Sequence, residues 1–185
     1  MEDSSRDSNR FQFERFILTQ LLIMALKGVP AFYLPALLAS ENDIKSFSMT
    51  GQRRDLNREK FKSENLLSVL NNPESNANKN LKYLRNAMDV RSNLKQFHPC
   101  SVMKCLSKGR SDIVVIKRSE GSESVFAIHN MTANKINYQL NDNDLPEMID
   151  NDFNMRDFLT SIKYNWKNIS LDPFQVIWLV ALQND

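Results

Sequence analysis

The chain has 185 residues, is 42% hydrophobic and carries a net charge of +2. That length fits one domain or two small ones, and the near-neutral balance provides no basic stripe of the kind that nucleic acid selects. Two cysteines, Cys100 and Cys105, do not make a disulfide framework or a zinc ligand set, and read as reduced thiols of a cytoplasmic protein.

Residues 1–9 are polar and charged and read as a disordered start. Phe11 to Lys27 lacks proline and glycine, and Phe13, Ile17, Leu21 and Met24 recur at helical spacing. Other apolar residues fill its remaining faces, so the expected helix must be buried on most sides. It is too short to span a bilayer, and the acidic residues before it disfavour a signal peptide. Gly28 and Pro30 stop it. Val29 to Leu34 then reads as a short strand buried on both faces, as in a parallel sheet covered by helices. Ala36 to Lys60 is a long connection with one helical turn near Leu37, and a loop of that length is usually functional. A short helix is expected over Phe61–Leu70 with Ser63 as its cap. A second starts at Asn72-Pro73 and ends near Phe97. Leu81, Leu84 and Met88 form its apolar stripe, with Lys79, Lys82, Arg85 and Asp89 facing water.

From Val102 the period changes to that of strands. Val102–Leu106, Asp112–Lys117, Ser124–Asn130 and Lys135–Leu140 are separated by turn signals at Lys108-Gly109 and Glu120-Gly121. Asn141–Asn154 is acidic and loop-like, Phe158–Ile162 is undecided, and Phe174–Leu182 is a final strand.

The segment Gly28 to Lys60 holds two linked motifs. The first is Gly28, Val29, Pro30, Tyr33, Ala36, Leu37, Asn42 and Asp43. The second is Arg54-Asp55-Leu56-Asn57-Arg58. Together, at this separation, they resemble the last strand and following loop of the catalytic barrel in sucrose phosphorylases and related glucoside phosphorylases of the α-amylase superfamily. Weaker similarity runs on to Pro173–Trp178. The resemblance implies an α+β chain: the last βα unit of an incomplete (β/α)8 barrel over residues 10–99, then a small antiparallel all-β domain over residues 100–185. It implies phosphorolysis of an α-glucoside such as sucrose or glucosylglycerate to glucose 1-phosphate, with retention.

Retaining chemistry needs two carboxyl groups about 5 Å apart. By resemblance both, and the aspartate that stabilises the transition state, lie on earlier barrel strands. No residue here is assigned a catalytic role, and the chain alone is expected to be inactive. A substrate-holding contribution remains. Arg58 aligns with the motif arginine at the floor of the glucose pocket, where a planar fork of donors can hold hydroxyls and an orienting carboxylate. The alternative is a surface arginine. Asn57 either fixes the loop or touches substrate. Arg53 and Arg54 can meet phosphate or an anionic acceptor, or one of them pairs with Asp55 or Glu59. Tyr33 falls at the strand's C-terminal end, where barrel active sites lie, unless it is structural. His98 and His129 have no triad or metal context and read as structural, and the methionines read as core. Trp166 and Trp178 can stack on sugars in principle, with Trp178 assigned to the core. No cofactor, metal, nucleic acid or membrane partner is expected.

Without partner strands, the first helix and strand should leave apolar surface exposed, which drives aggregation or association with an N-terminal barrel segment. The competing readings are a non-catalytic sugar-binding or interaction module, and a decayed remnant.

Overall fold

The computed structural model describes residues 10–57, 60–107, 109–145 and 154–180. The expected disordered start lies outside them, and of the acidic stretch Asn141–Asn154 they include 141–145, with the short 3-10 turn Asp142–Asp144, and Asn154. Helix α1 (Gln12–Ala25) forms where the apolar spacing places it. Ile17, Leu18, Leu21, Met24 and Ala25 make one buried face, whereas Ile23 is 43% exposed. The helix is therefore amphipathic in use, not buried all round, and its inner face is not left bare. It packs on a β-sheet of its own chain.

That sheet has six antiparallel strands in the order β1-β2-β3-β8-β5-β6: β1 (Val102–Cys105), β2 (Ile113–Glu120), β3 (Glu123–Asn130), β5 (Asn154–Asp157), β6 (Lys163–Asn165) and β8 (Val176–Val180). Strands β4 (Ile136–Tyr138) and β7 (Ile169–Leu171) form a second, two-stranded sheet. The β2–β3 hairpin closes on Gly121-Ser122 with Gly121 at φ +60°, the left-handed conformation that a two-residue hairpin turn needs.

Alternation assigns the two faces of the large sheet. Ile113, Val115, Phe126, Ile128, Ile177 and Leu179 form a core cluster with Leu140, Met155, Trp166, Ile169 and Leu171. The opposite face carries Val114, His129 and Val176 in one row, Ile116, Ala127 and Trp178 in the next, and Arg118, Val125 and Val180 in a third. Trp178 meets the ring of Phe97, in the 3-10 turn Lys95–Phe97, at 4.7 Å between centroids. Both tryptophans are buried in the core, so the sugar-stacking option is closed for Trp166 as well as Trp178.

The C-terminal end of α1 has no basic residue of its own in the last turn. Two distant arginines supply the missing donors. Arg118 is fully buried, and its Nη1 donates to the carbonyls of Ala25 (3.2 Å) and Leu26 (2.9 Å), while its Nη2 donates to His98 O (2.7 Å). Arg91 Nε donates to Met24 O and its Nη2 to Gly28 O, both at 2.9 Å. These carbonyls are the ones a helix end leaves unsatisfied, and the positive charges suit the negative end of the helix dipole. Burial holds both guanidinium groups below their ordinary pKa.

The chain forms two compact units, Met1–Pro30 with Ala87–Asp185, and Ala31–Asn86. The first holds α1 and both sheets. The second contains α2 (Leu34–Leu37), α3 (Ile44–Thr50), the 3-10 helix Arg53–Asn57, α4 (Ser63–Asn71) and residues 76–86 of α5 (Asn76–Asn93). Its buried apolar side chains among the described residues are Leu38, Ala77 and Leu84. Buried Asn80 donates to Ala36 O (2.9 Å) and Leu37 O (2.8 Å) and so ties α5 to the end of α2.

Several expected elements are corrected. No strand forms over Val29–Leu34: Val29 is 80% exposed, and Leu34 already begins α2. A strand exists through ladder hydrogen bonds, and no described strand pairs with this segment. Among its described residues, the connection from Ala36 to Lys60 is mostly helical. Ser63 is the first residue of α4 rather than its cap, which is Lys62. Asn72 caps a turn, accepting from Glu74 N at 3.0 Å, and α5 starts three residues later than Pro73, where Ser75 Oγ accepts from Asn78 N at 3.1 Å. Strands β5, β6 and β7 were not foreseen. The undecided Phe158–Ile162 is a turn held by buried Asp157, which accepts from Trp178 N (2.8 Å), Leu159 N (3.2 Å) and Thr160 Oγ1 (2.5 Å).

Candidate functional site

The candidate substrate-holding residues belong to the second unit. Local sequence shapes their platform. Asp43 caps α3: its carboxylate accepts from Ser46 N (2.9 Å) and Ser46 Oγ (2.5 Å). The hydrogen bonds from Ser46 hold the Asp43 carboxyl below its ordinary pKa, with Lys45 and Lys60 adding to the effect. Gly51 ends α3 in the left-handed region at φ +67°, where a side chain would be strained. The chain then turns back as the 3-10 helix. Thr50 Oγ1 donates to Asp55 Oδ2 at 2.5 Å, and Asp43 N donates to Leu56 O at 2.8 Å. Asp43 thus organises both α3 and the segment that follows it.

Arg53, Arg54 and Asn57 all sit on this 3-10 helix with exposed side chains. Asp55 is engaged by Thr50. Among the described residues no ion pair joins Asp55 to either arginine, so that pairing is not made. Arg58 and Glu59 lie outside the described residues. Tyr33 is 56% exposed, stands in extended backbone at the N-cap of α2, and is not buried as a structural tyrosine would be. Sequence reading missed Asp43 and Thr50 as organisers. The available signal was the Asp-x-x-Ser pattern at 43–46, an N-cap signature.

Among the described residues no group of acidic, histidine or cysteine side chains is arranged to hold a metal ion, and no helix is long and apolar enough to cross a membrane. Cys100 and Cys105 are free and exposed. His129 is fully buried, and neither ring nitrogen has a hydrogen-bond partner of good geometry. Burial lowers its pKa from 6.5 to about 4, and the backbone near Val114, Leu21 and Ala127 softens that depression.

No family model matches the chain. Solved structures define the class of fold. The trehalose-6-phosphate hydrolase of Bacillus licheniformis superposes with a TM-score of 0.67 at 16% identity, over 95% of this chain and 40% of its own. An Anoxybacillus α-amylase superposes at 0.65 and 16% identity, over 93% and 33%. This α+β architecture, with its antiparallel sheet, thus has the fold of a portion of each of these enzymes. Among sequences, the chain is similar to the glucosylglycerate phosphorylase of Allomeiothermus silvanus, with 27% identity over 177 residues, which cover 96% of this chain and 29% of the relative. The Escherichia coli glucosylglycerate phosphorylase is 22% identical over 165 residues, 89% of this chain and 28% of its own. The chain spans less than a third of the length of these relatives, and the matches fit a C-terminal portion of such an enzyme.

Proposed function

We propose that the chain is the C-terminal piece of a retaining α-glucoside phosphorylase, which converts glucosylglycerate or sucrose and phosphate to glucose 1-phosphate. In this reading residues 10–99 complete a barrel catalytic domain and residues 100–185 form its trailing β domain. The catalytic carboxylates come from an upstream segment, and the protein works in the cytoplasm. Arg58 and Asn57 hold the glucosyl unit, Tyr33 lines the pocket, and Arg53 and Arg54 meet the anionic acceptor or phosphate.

The observation that carries the proposal is the similarity to glucosylglycerate phosphorylases along 96% of this chain. A physical argument supports the missing partner. The second unit buries very little apolar surface, while Leu34, Ile44, Met49, Leu67 and Val69 stay exposed. At about 25 cal/mol per Å2, so small a core does not offset the entropy of ordering that many residues. A further apolar surface has to cover it, as a barrel would.

The test is reconstitution. The chain is co-expressed with the upstream segment of the Allomeiothermus silvanus relative, and glucose 1-phosphate is measured from glucosylglycerate and from sucrose with phosphate. Activity that needs both pieces is expected. Glucoside binding by the chain alone, with no gain from the upstream segment, would establish the sugar-binding module instead. Neither binding nor activity, with no barrel-encoding frame upstream of Met1 in the DNA, would leave the remnant.

A further inference from the structure

The seam between α1 and the sheet contains a group that the proposed reaction does not use. His129 stands in the end row of the face covered by α1, flanked in register by Val114 on β2 and Val176 on β8, with Leu21 of α1 beside it. The ring is fully buried and neither nitrogen makes a hydrogen bond of good geometry, although the nearby backbone of Val114, Leu21 and Ala127 partly offsets the effect of burial. A neutral imidazole left so is costly, and an imidazolium there is far more so. The charged groups on the surrounding elements are paired elsewhere or exposed. At the foot of β2, Asp112 lies two residues before Val114 and is paired with Arg110; farther along the same face Arg118 is engaged with the end of α1. On β5 the charged group of this face is exposed Arg156, in register with Val180 and bonded to Ser161. On α1, Glu14 and Arg15 are both exposed. On β1, Cys105 lies exposed in register with Ile116. Beyond the start of β3, Lys95 is paired with Glu123, and β8 contributes no charge.

We infer that His129 is an acid-sensitive latch: protonation of its ring releases helix α1 from the sheet. The ring can accept a proton only where water or an acceptor reaches it, and lifting α1 is the movement that admits water. The sheet does not need α1 to keep its other face, since the cluster around Phe126 and Ile177 lies on the far side. Release therefore uncovers Leu21 and Met24 without dissolving that cluster.

The device is read by hydrogen exchange on the full chain, as protection factors corrected for intrinsic rates. One extra proton in the open form predicts that protection of the α1 amides falls about tenfold per pH unit below 6.5, and up to roughly 300-fold by pH 4. Amides of β2, β3 and β8 should stay protected through the same range. His129→Leu should flatten the α1 profile. Should that variant fail to fold, the wild-type imidazole is followed by NMR, with His98→Gln to assign the two resonances. The His129 ring must then take up its proton in the window where α1 loses protection. A flat wild-type profile overturns the latch. So does an equal fall in His129→Leu, a parallel loss over the sheet, or a ring that protonates while α1 stays protected.

Discussion

Replacement of Arg118 by methionine removes a buried charge while keeping most of its apolar stem. Two effects then oppose each other. The carbonyls of Ala25, Leu26 and His98 lose donors now at 3.2, 2.9 and 2.7 Å. Hydrogen bonds from charged donors contribute about 1.5–3 kcal/mol each. Against this, the cost of stripping water from a guanidinium disappears, and exchanging a buried ion for an apolar group is sometimes neutral or stabilising. Leu26 is half-exposed at the helix end, so water can reach its carbonyl. Ala25 is fully buried, and the Arg118 bond to its carbonyl lies in the interior. The loss of helix-end satisfaction should prevail, and Arg118→Met should destabilise the chain by about 2–4 kcal/mol. Arg118→Lys keeps the charge but not the fork, and should fall between the two. Urea unfolding at pH 7 followed by tryptophan fluorescence measures this directly, because Trp166 and Trp178 both sit in the core. A methionine variant as stable as the parent would refute the reasoning: the clamp would then be a net cost that the fold merely tolerates.

Leu21→Ala should cost about 2–5 kcal/mol in the same assay, the range for a fully buried leucine; a loss below about 1 kcal/mol would show α1 only loosely attached. Phe174 occupies the left-handed region at φ +54°, in a turn closed by Gln175 N to Asp172 O at 3.1 Å, with its ring 5.6 Å from that of Phe11. Both Phe174→Ala and Phe174→Gly lose the ring, but glycine also relieves the backbone, so Phe174→Gly should be the more stable by about 1 kcal/mol. Equal melting temperatures would argue against strain there. In the reconstituted enzyme, Arg53→Ala with Arg54→Ala should raise KM for glucosylglycerate several-fold more than for sucrose; equal losses would remove these arginines from acceptor selection.

What was readable in the sequence follows from the kind of force involved. Helix α1 and strands β2, β3 and β8 are strongly apolar and periodic, and they were found to within a few residues. Strands β5 to β7 are only three or four residues long, and Asn154-Met-Arg-Asp and Lys163-Tyr-Asn contain no apolar run at all. They exist because neighbours already in the sheet offer ladder bonds, which no local pattern encodes. The error at Val29–Leu34 is the converse: an apolar run with good strand character, but no described strand beside it. At the candidate site, the Arg54–Arg58 motif drew attention to the segment and Asp-x-x-Ser at 43–46 carried a legible cap, while the closure of Thr50 on Asp55 had to be seen in three dimensions. The clamp on α1 was invisible, since Arg91 and Arg118 lie far from the carbonyls they hold.

The clamp also sets an order in time. Arg118 lies 93 residues beyond the Ala25 carbonyl that it holds. At roughly 5–20 residues per second of synthesis, α1 emerges on the order of ten seconds before the strands that will cover it. During that interval its apolar face has no partner from its own chain. A nascent chain of this kind calls for a holding factor at the ribosome exit, or for an upstream domain already folded that shelters the helix until the sheet arrives.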